Sequence, residues 1–303
     1  MGRNFTSETC NCNLTVKNIH CLNPDYTLDC GQSFRWEKTS EDHWCAVVSS
    51  KGGPKYCELS FSQNKDGTSD ITFYNCDEKT FREIWVPYFD LDRDYDAILR
   101  SYQKDKYLKA STKEYYGIRV TNQDPWETLC SFIISQNNNI PRIKGIIERL
   151  CENFGEPVKT ITTKEGTKKT LCSFPSAEKL AKLEPEDLAP IRAGFRNKYI
   201  IDAARKTASG EIDLERLKEL PLEEAEAELL RIKGVGPKVA QCVLLYGCRQ
   251  ADAFPQDVWV KRILTELYPQ GLPPCTAGTR GIAQQYLFHW RRHLDDAEKG
   301  SKK

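Results

Sequence analysis

The stretch Leu229–Gly247, LLRIKGVGPKVAQCVLLYG, decides the fold of the C-terminal half. Leu229 and Ile232 close one amphipathic run, Gly234, Val235 and Gly236 form a tight glycine–apolar–glycine hairpin, and Pro237 opens a second helix that includes Ala240. Glycines suit such a corner because they take φ > 0 and bare their backbone N–H groups with no Cβ in the way. Proline suits the first helical position, where its missing N–H would have found no partner anyway. The free amides and positive dipole end behind it are fitted to a phosphate. The bland alternative is an ordinary turn between packed helices, since Gly-x-Gly alone occurs in many folds. The flanking apolar and alanine positions favour a hairpin that grips a nucleic-acid backbone through Gly234 and Gly236.

Lys238 lies on the first turn of that second helix, and Asp257 follows nineteen residues on, after a loop containing Pro255. A lysine at a helix N-terminus is electrostatically misplaced: the dipole repels its charge and so favours the neutral, nucleophilic amine. The simpler readings are a phosphate-binding lysine and an aspartate that caps the helix starting near Val258, and a cap can also be a catalytic carboxylate.

Outward from the hairpin, the chain divides into two styles. From Asn13 to Cys76, short alternating segments such as SFRW, HWCAVV and DITFYN are separated by turn signals at Lys51-Gly52-Gly53-Pro54 and Asp66-Gly67, which predicts an antiparallel sheet. Helical periodicity begins near Lys79, and a soft boundary falls at Ile118 to Asn122, so we expect a sheet domain with helices over 1–118 and a helical region over 119–303. Asp124-Pro125-Trp126-Glu127 reads as a helix start with a capping box. That helix runs to Ser135, breaks at the polar corner Gln136-Asn137-Asn138-Asn139, and restarts at Ile140-Pro141 with Ile143, Ile146, Ile147 and Leu150 on one face. Residues Glu156 to Thr170 read as a loop or small hairpin, followed by short helices delimited by Ser176, Pro185, Gly194 and Gly210. A last helix spans Gly281 to Leu294, and the charged tail DDAEKGSKK is expected to be disordered. The fold class is α+β.

Composition narrows the function. Forty-four basic and 43 acidic residues nearly cancel, so any hold on nucleic acid must be a local patch rather than a general positive coat. No run of 18 apolar residues could span a membrane, and MGRNFTSETCNCNLTV has no secretory core, so an intracellular protein is expected with its 13 cysteines as thiols. Cys10 and Cys12 fall in a segment expected to fray. There is no CxxC pair, and His289 and His293 form an i, i+4 pair without two further ligands, so neither metal nor cofactor is expected.

GVGPKVAQC with FPQD downstream resembles the signature of the helix-hairpin-helix DNA glycosylase superfamily, and the whole chain resembles its 8-oxoguanine DNA glycosylase/lyase family. The likeness extends over LDCGQSFRW (Leu28–Trp36), FIISQNNNIPRI (Phe132–Ile143), AGFRNKY (Ala193–Tyr199) and AQQYLF (Ala283–Phe288). The resemblance implies that Lys238 attacks the sugar C1′ and leaves a Schiff base, with Asp257 stabilising the cationic sugar. It implies a pocket for a flipped base, with the Gly31 carbonyl accepting from the N7–H of 8-oxoguanine, Cys242 and Phe288 sandwiching the ring, and Gln284 on its pairing edge. Taken singly, these would read as a turn, core residues and a surface helix residue, although Gln284 and Phe288 share a helix face at i, i+4.

It further implies that Asn137 and Asn139 shape the corner that fills the vacated stack, that Phe195 wedges, and that Arg142 and Arg196 donate to an orphaned cytosine. Two positions depart from the family: Trp259 stands where eukaryotic members commonly have a histidine, and Phe195 where they have a tyrosine, so the phosphate grip and the wedge differ in detail. Only Cys242, Cys248 and Cys275 lie near the C-terminus, too few for the four-cysteine iron–sulfur cluster of related glycosylases. The expected partner is double-stranded DNA with an oxidised purine, bound by a monomer in the cytoplasm or nucleoid of a prokaryote or the nucleus of a eukaryote. The rival readings are a glycosylase for another damaged purine, for which the Gly31 acceptor is unnecessary, and a noncatalytic helix-hairpin-helix DNA-binding module.

Overall fold

The computed structural model describes residues 5–300 except 11, 51, 164 and 165, with the backbone alone from 295 to 300. Strands β1 (Thr6–Cys10), β2 (Asn13–Ile19), β3 (Glu37–Lys38), β4 (His43–Val48), β5 (Lys55–Gln63) and β6 (Ser69–Phe73) form an antiparallel sheet in the order β1-β2-β6-β5-β4-β3. Alternation sets its inner face: Leu14, Val16, Leu59, Ile71 and Phe73 point inward against Phe81, Trp85 and Phe89. β4 is buried on both faces, because Cys45 and Val47 on its back meet Leu171 of a second hairpin, β7 (Pro157–Thr162) and β8 (Lys168–Cys172). A strand covered on both sides reads as a continuous apolar run, as HWCAVV does.

Several expectations need correction. Cys10 ends strand β1 rather than fraying, and Ser7 of that strand donates to Glu78 at 2.9 Å. A short helix, α1 (Pro24–Leu28), interrupts the sheet region, capped by the Asn23 side chain. SFRW (Ser33–Trp36) forms no strand, β3 beginning only after it, because the buried Gln32 side chain donates to the Thr27 and Arg119 carbonyls, both at 2.7 Å, and holds the chain in a bend. The final helix runs on through Gly300 rather than ending at Leu294, and residues 301–303 lie outside the described residues.

The remaining α-helices among the described residues are α2 (Glu78–Thr80), α3 (Val86–Tyr88), α4 (Tyr95–Tyr102), α5 (Lys106–Glu114), α6 (Pro125–Ser135), α7 (Ile140–Phe154), α8 (Ala177–Ala181), α9 (Asn197–Ala208), α10 (Leu222–Leu230), α11 (Pro237–Tyr246), α12 (Val258–Leu267) and α13 (Arg280–Gly300). α6 is the spine, with Leu129, Cys130, Phe132, Ile133 and Ile134 nearly inaccessible, and it packs on α7 and α11. The Asp124 side chain caps α6 by accepting from Glu127 N at 2.9 Å. Glu127 does not complete a capping box. Its buried carboxylate accepts from Ser49 Oγ at 2.7 Å and faces Arg35, joining α6 to the sheet instead. Arg119, 1% exposed, clamps the same junction by donating to the carbonyls of Cys21, Asp90 and His20.

Candidate active site

α10 and α11 flank the glycine hairpin, and the two glycines act differently. Gly234 has φ +78°, and a Cβ there would lie 2.4 Å from the Tyr199 ring, so both conformation and space require glycine. Gly236 is extended at φ −106° and caps α11 with no side chain; nothing lies within 4 Å of where its Cβ would be. The expectation that both adopt positive φ therefore holds for Gly234 alone. Gly236 instead leaves the amide end of α11 uncovered, which is what an approaching phosphate needs.

Lys238 projects from the first turn of α11. Its Nζ donates to Ser135 Oγ at 3.3 Å and sits 5.4 Å from the centre of the Phe132 ring. Asp257 is the N-cap of α12, with Oδ1 accepting from Val260 N at 2.8 Å. The loop leading to it is tied back to α11, because Phe254 N donates to Gln241 Oε1 at 2.7 Å. Cap and lysine are thereby held in one frame. The Cys242 thiol, one turn beyond Lys238, lies close enough to feel both charges; burial pushes it up to about 12, with Lys238 opposing and Asp257 adding. It stays protonated and presents an apolar surface.

These groups open onto one cleft of about 60 Å³, lined by Gly31, Lys238, Cys242, Asp257, Gln284 and Phe288. Four distant chain segments thus meet there. Gly31 lies in a turn at φ +82°. Gln284 is 6% exposed, and its Oε1 is buried with no hydrogen-bond partner among the described residues. A buried acceptor left unpaired is unfavourable by roughly 1–3 kcal/mol, and a ligand donor would relieve that. Sequence reasoning missed Phe132, which also lines the cleft beneath the lysine, although it lies in one of the stretches singled out above. It missed Gln285 as well, whose signal is only its place beside Gln284 on α13.

The expected DNA-contact residues lie on a neighbouring edge. Asn137 is exposed with φ +47°, a left-handed conformation that asparagine tolerates better than most residues. Asn139 caps α7 by accepting from Arg142 N at 3.0 Å, and Arg142 is exposed on the first turn. Phe195 is 52% exposed and meets Tyr199 edge-on at 5.9 Å. Arg196 is not free as expected. It is 3% exposed and donates to the carbonyls of Gln136, Ala193 and Asn137, bracing the corner from behind. Trp259 sits half-buried on the first turn of α12.

Residues 14–129 match the family model of the 8-oxoguanine DNA glycosylase N-terminal domain, and residues 130–271 match that of the HhH-GPD superfamily base excision DNA repair protein. A probable N-glycosylase/DNA lyase of Methanothermobacter thermautotrophicus is 32% identical over 273 residues, covering 81% of this chain and 83% of its own length. The chain belongs to the 8-oxoguanine DNA glycosylase/lyase family. The N-glycosylase/DNA lyase of Saccharomyces cerevisiae is 33% identical over 80% of this chain and 67% of that protein. Other curated relatives are spanned over only 59% and 64% of their lengths. The Clostridium acetobutylicum 8-oxoguanine glycosylase/lyase, solved with double-stranded DNA containing cytosine opposite 8-oxoguanine, superposes with a TM-score of 0.83 at 32% identity, covering 97% of this chain and 99% of that one. Among the described residues no helix is long and apolar enough to cross a membrane.

Proposed function

We propose that this chain removes 8-oxoguanine from duplex DNA opposite cytosine and then cuts the strand, with Lys238 as nucleophile and Asp257 as its electrostatic partner. The observation that carries the reading is the single cleft in which an amine, a carboxylate, a glycine turn and an unpaired buried acceptor converge. Chemistry at C1′ is obstructed in the stacked duplex, so the damaged nucleotide must be flipped into this cleft. There the Gly31 carbonyl accepts from N7–H, a hydrogen that ordinary guanine lacks, while Gln284 Oε1 accepts from the pairing edge and Cys242 and Phe288 hold the ring faces. The Lys238 amine attacks C1′, the C1′–N9 bond breaks with its electrons passing to the base, and the base leaves after taking up a proton. Asp257 offsets the positive charge that develops on the sugar. The ring-opened iminium acidifies the C2′ hydrogen, its removal expels the 3′ phosphate, and hydrolysis of the imine returns the lysine.

Gly234 and Gly236 present the amide end of α11 to a phosphate, and Trp259, on the first turn of α12, adds to the phosphate grip. Asn137 and Phe195 occupy the gap left by the flipped base; Arg142 meets the orphaned cytosine, and Arg196 joins it when the Asn137 corner moves and frees its guanidinium. The chain acts as a monomer, in whichever compartment holds the genome. The test is borohydride reduction in the presence of duplex containing 8-oxoguanine opposite cytosine. A covalent protein–DNA adduct is expected, lost in Lys238→Gln and kept in Lys233→Gln, whose side chain is 77% exposed on the hairpin. An adduct that survives Lys238→Gln would show the chemistry to be assigned to the wrong amine, and binding with no adduct from the unaltered chain would favour the noncatalytic module. Excision of an alkylated purine in preference to 8-oxoguanine would favour the other glycosylase reading.

A further inference from the structure

We infer that Gln285 is a specificity-determining positioning residue, which locks the peptide carrying the Gly31 carbonyl so that an acceptor, not a donor, faces the base. The inference rests on the base-pocket reading above. Gln285 is 1% exposed on α13, and its amide is used at both ends: Nε2 donates to the Cys30 carbonyl at 3.2 Å, and Oε1 accepts from the Tyr246 hydroxyl at 2.8 Å. Tyr246 lies on α11 at i+8 from Lys238 and i+4 from Cys242, so one face of the helix bearing the nucleophile is bonded through Gln285 to the turn bearing Gly31.

The geometry of that turn explains why a lock is needed. Gly31, at φ +82°, has no Cβ to resist rotation of the peptides on either side of it. The Gly31–Gln32 peptide presents the Gly31 carbonyl on one edge and the Gln32 N–H on the other. Turned over, it would offer a donor where 8-oxoguanine needs an acceptor, and that donor suits the N7 lone pair of undamaged guanine. Both flanking peptides are pinned. Gln285 holds the Cys30 carbonyl, and Gln123 Nε2 donates to the Gln32 carbonyl at 2.7 Å. Gln123 is itself fixed by a 3.0 Å bond to Thr121 Oγ1. Both pins reach the catalytic helix, Gln123 through its backbone N–H, which donates to the Tyr246 carbonyl at 2.7 Å, and Gln285 through its side chain, which accepts from the Tyr246 hydroxyl.

The test uses the full chain under single-turnover conditions with three duplexes, carrying 8-oxoguanine, guanine or a preformed abasic site opposite cytosine. Strand cleavage at the abasic site requires the amine and the carboxylate but reads no base. Gln285→Met, similar in volume and unable to bridge, is expected to slow 8-oxoguanine release about tenfold, from the loss of one buried hydrogen-bond bridge, and to lower selectivity over guanine while abasic-site cleavage changes by less than about twofold. Tyr246→Phe frees one end of the bridge and is expected to slow release about threefold with the same contrast; it decides the matter if Gln285→Met does not fold. Equal losses on the lesion and the abasic site would reduce Gln285 to scaffolding and overturn the inference, as would unchanged release and selectivity in both variants. An unaltered chain that cleaves the abasic duplex yet leaves 8-oxoguanine in place would overturn the pocket reading itself, and the inference with it.

Discussion

Alanine at Gly234 and alanine at Gly236 should fail for opposite reasons, although only Val235 separates them. At Gly234 the added Cβ would meet the Tyr199 ring at 2.4 Å, against the 3.5–4.0 Å at which carbon atoms ordinarily touch. Holding alanine at φ +78° costs about 1–2 kcal/mol, and forcing the ring aside adds about 1–3 kcal/mol of overpacking. The total, roughly 2–5 kcal/mol, is a large part of the stability of an ordinary domain. At Gly236 the backbone is already in a region that alanine adopts, and the added methyl meets nothing. The folded state should shift by less than about 1 kcal/mol, the loss of a favourable cap being offset by reduced freedom in the unfolded chain. The methyl would nonetheless crowd a phosphate approaching the uncovered amides, and duplex affinity should fall about tenfold or more through a weakened charge-assisted contact. Urea midpoints and fluorescence anisotropy with a labelled duplex separate the two effects. If Gly234→Ala unfolds at the wild-type midpoint, or Gly236→Ala binds the duplex as tightly as wild type, the account of the hairpin is wrong.

The other predictions concern the edges of the site and the packing behind it. Phe195→Ala should leave the urea midpoint within about 0.5 kcal/mol of wild type, because the ring is 52% exposed, while slowing 8-oxoguanine excision about tenfold; an unchanged rate would remove it from the wedge. Asn137→Ala should do the same with an added stability loss of about 1 kcal/mol, since alanine tolerates φ +47° less well than asparagine; urea melts check the second part. His289, 7% exposed between Tyr26, Tyr115 and His293, is lowered to about 4, mainly by burial. Its folded value lies below its unfolded one, so the unfolded chain binds the extra proton first and stability falls as pH drops from about 6.5 toward 4. That loss should be on the order of 2 kcal/mol and should flatten in His289→Leu when urea midpoints are compared across the same range.

The difference between what the residues announced and what they concealed has a physical pattern. Local periodicity and caps carried α6, the Asn137 corner, α7 and the α10–α11 hairpin, since each is specified within a few residues of itself. The Glu127 capping box failed because Arg35, remote in sequence, competes for the same carboxylate, and no local rule can see Arg35 from Asp124. SFRW failed as a strand for a similar reason: the residue before it, Gln32, is anchored through its side-chain amide to the Arg119 carbonyl, far along the chain. The α13 extension to Gly300 was hidden by composition, since a charged tail reads alike whether it is helical or not.

The site follows the same division. Lys238, Asp257, Gly31, Cys242, Gln284 and Phe288 could be named because each stands in a stretch with a recognisable likeness, yet nothing local announced that Arg196 would be consumed by backbone carbonyls or that Gln285 would be held at both ends. A residue that touches substrate must keep its chemical type, whereas a residue that braces another needs only a partner within reach, and that partner is known only once the chain has folded. Braces should therefore tolerate exchange in pairs. Tyr246→Phe combined with Gln285→Met should lose little beyond Gln285→Met alone, because both remove the same bridge. Single-turnover rates on 8-oxoguanine duplex measure this directly, and fully additive losses would mean that the two residues act separately.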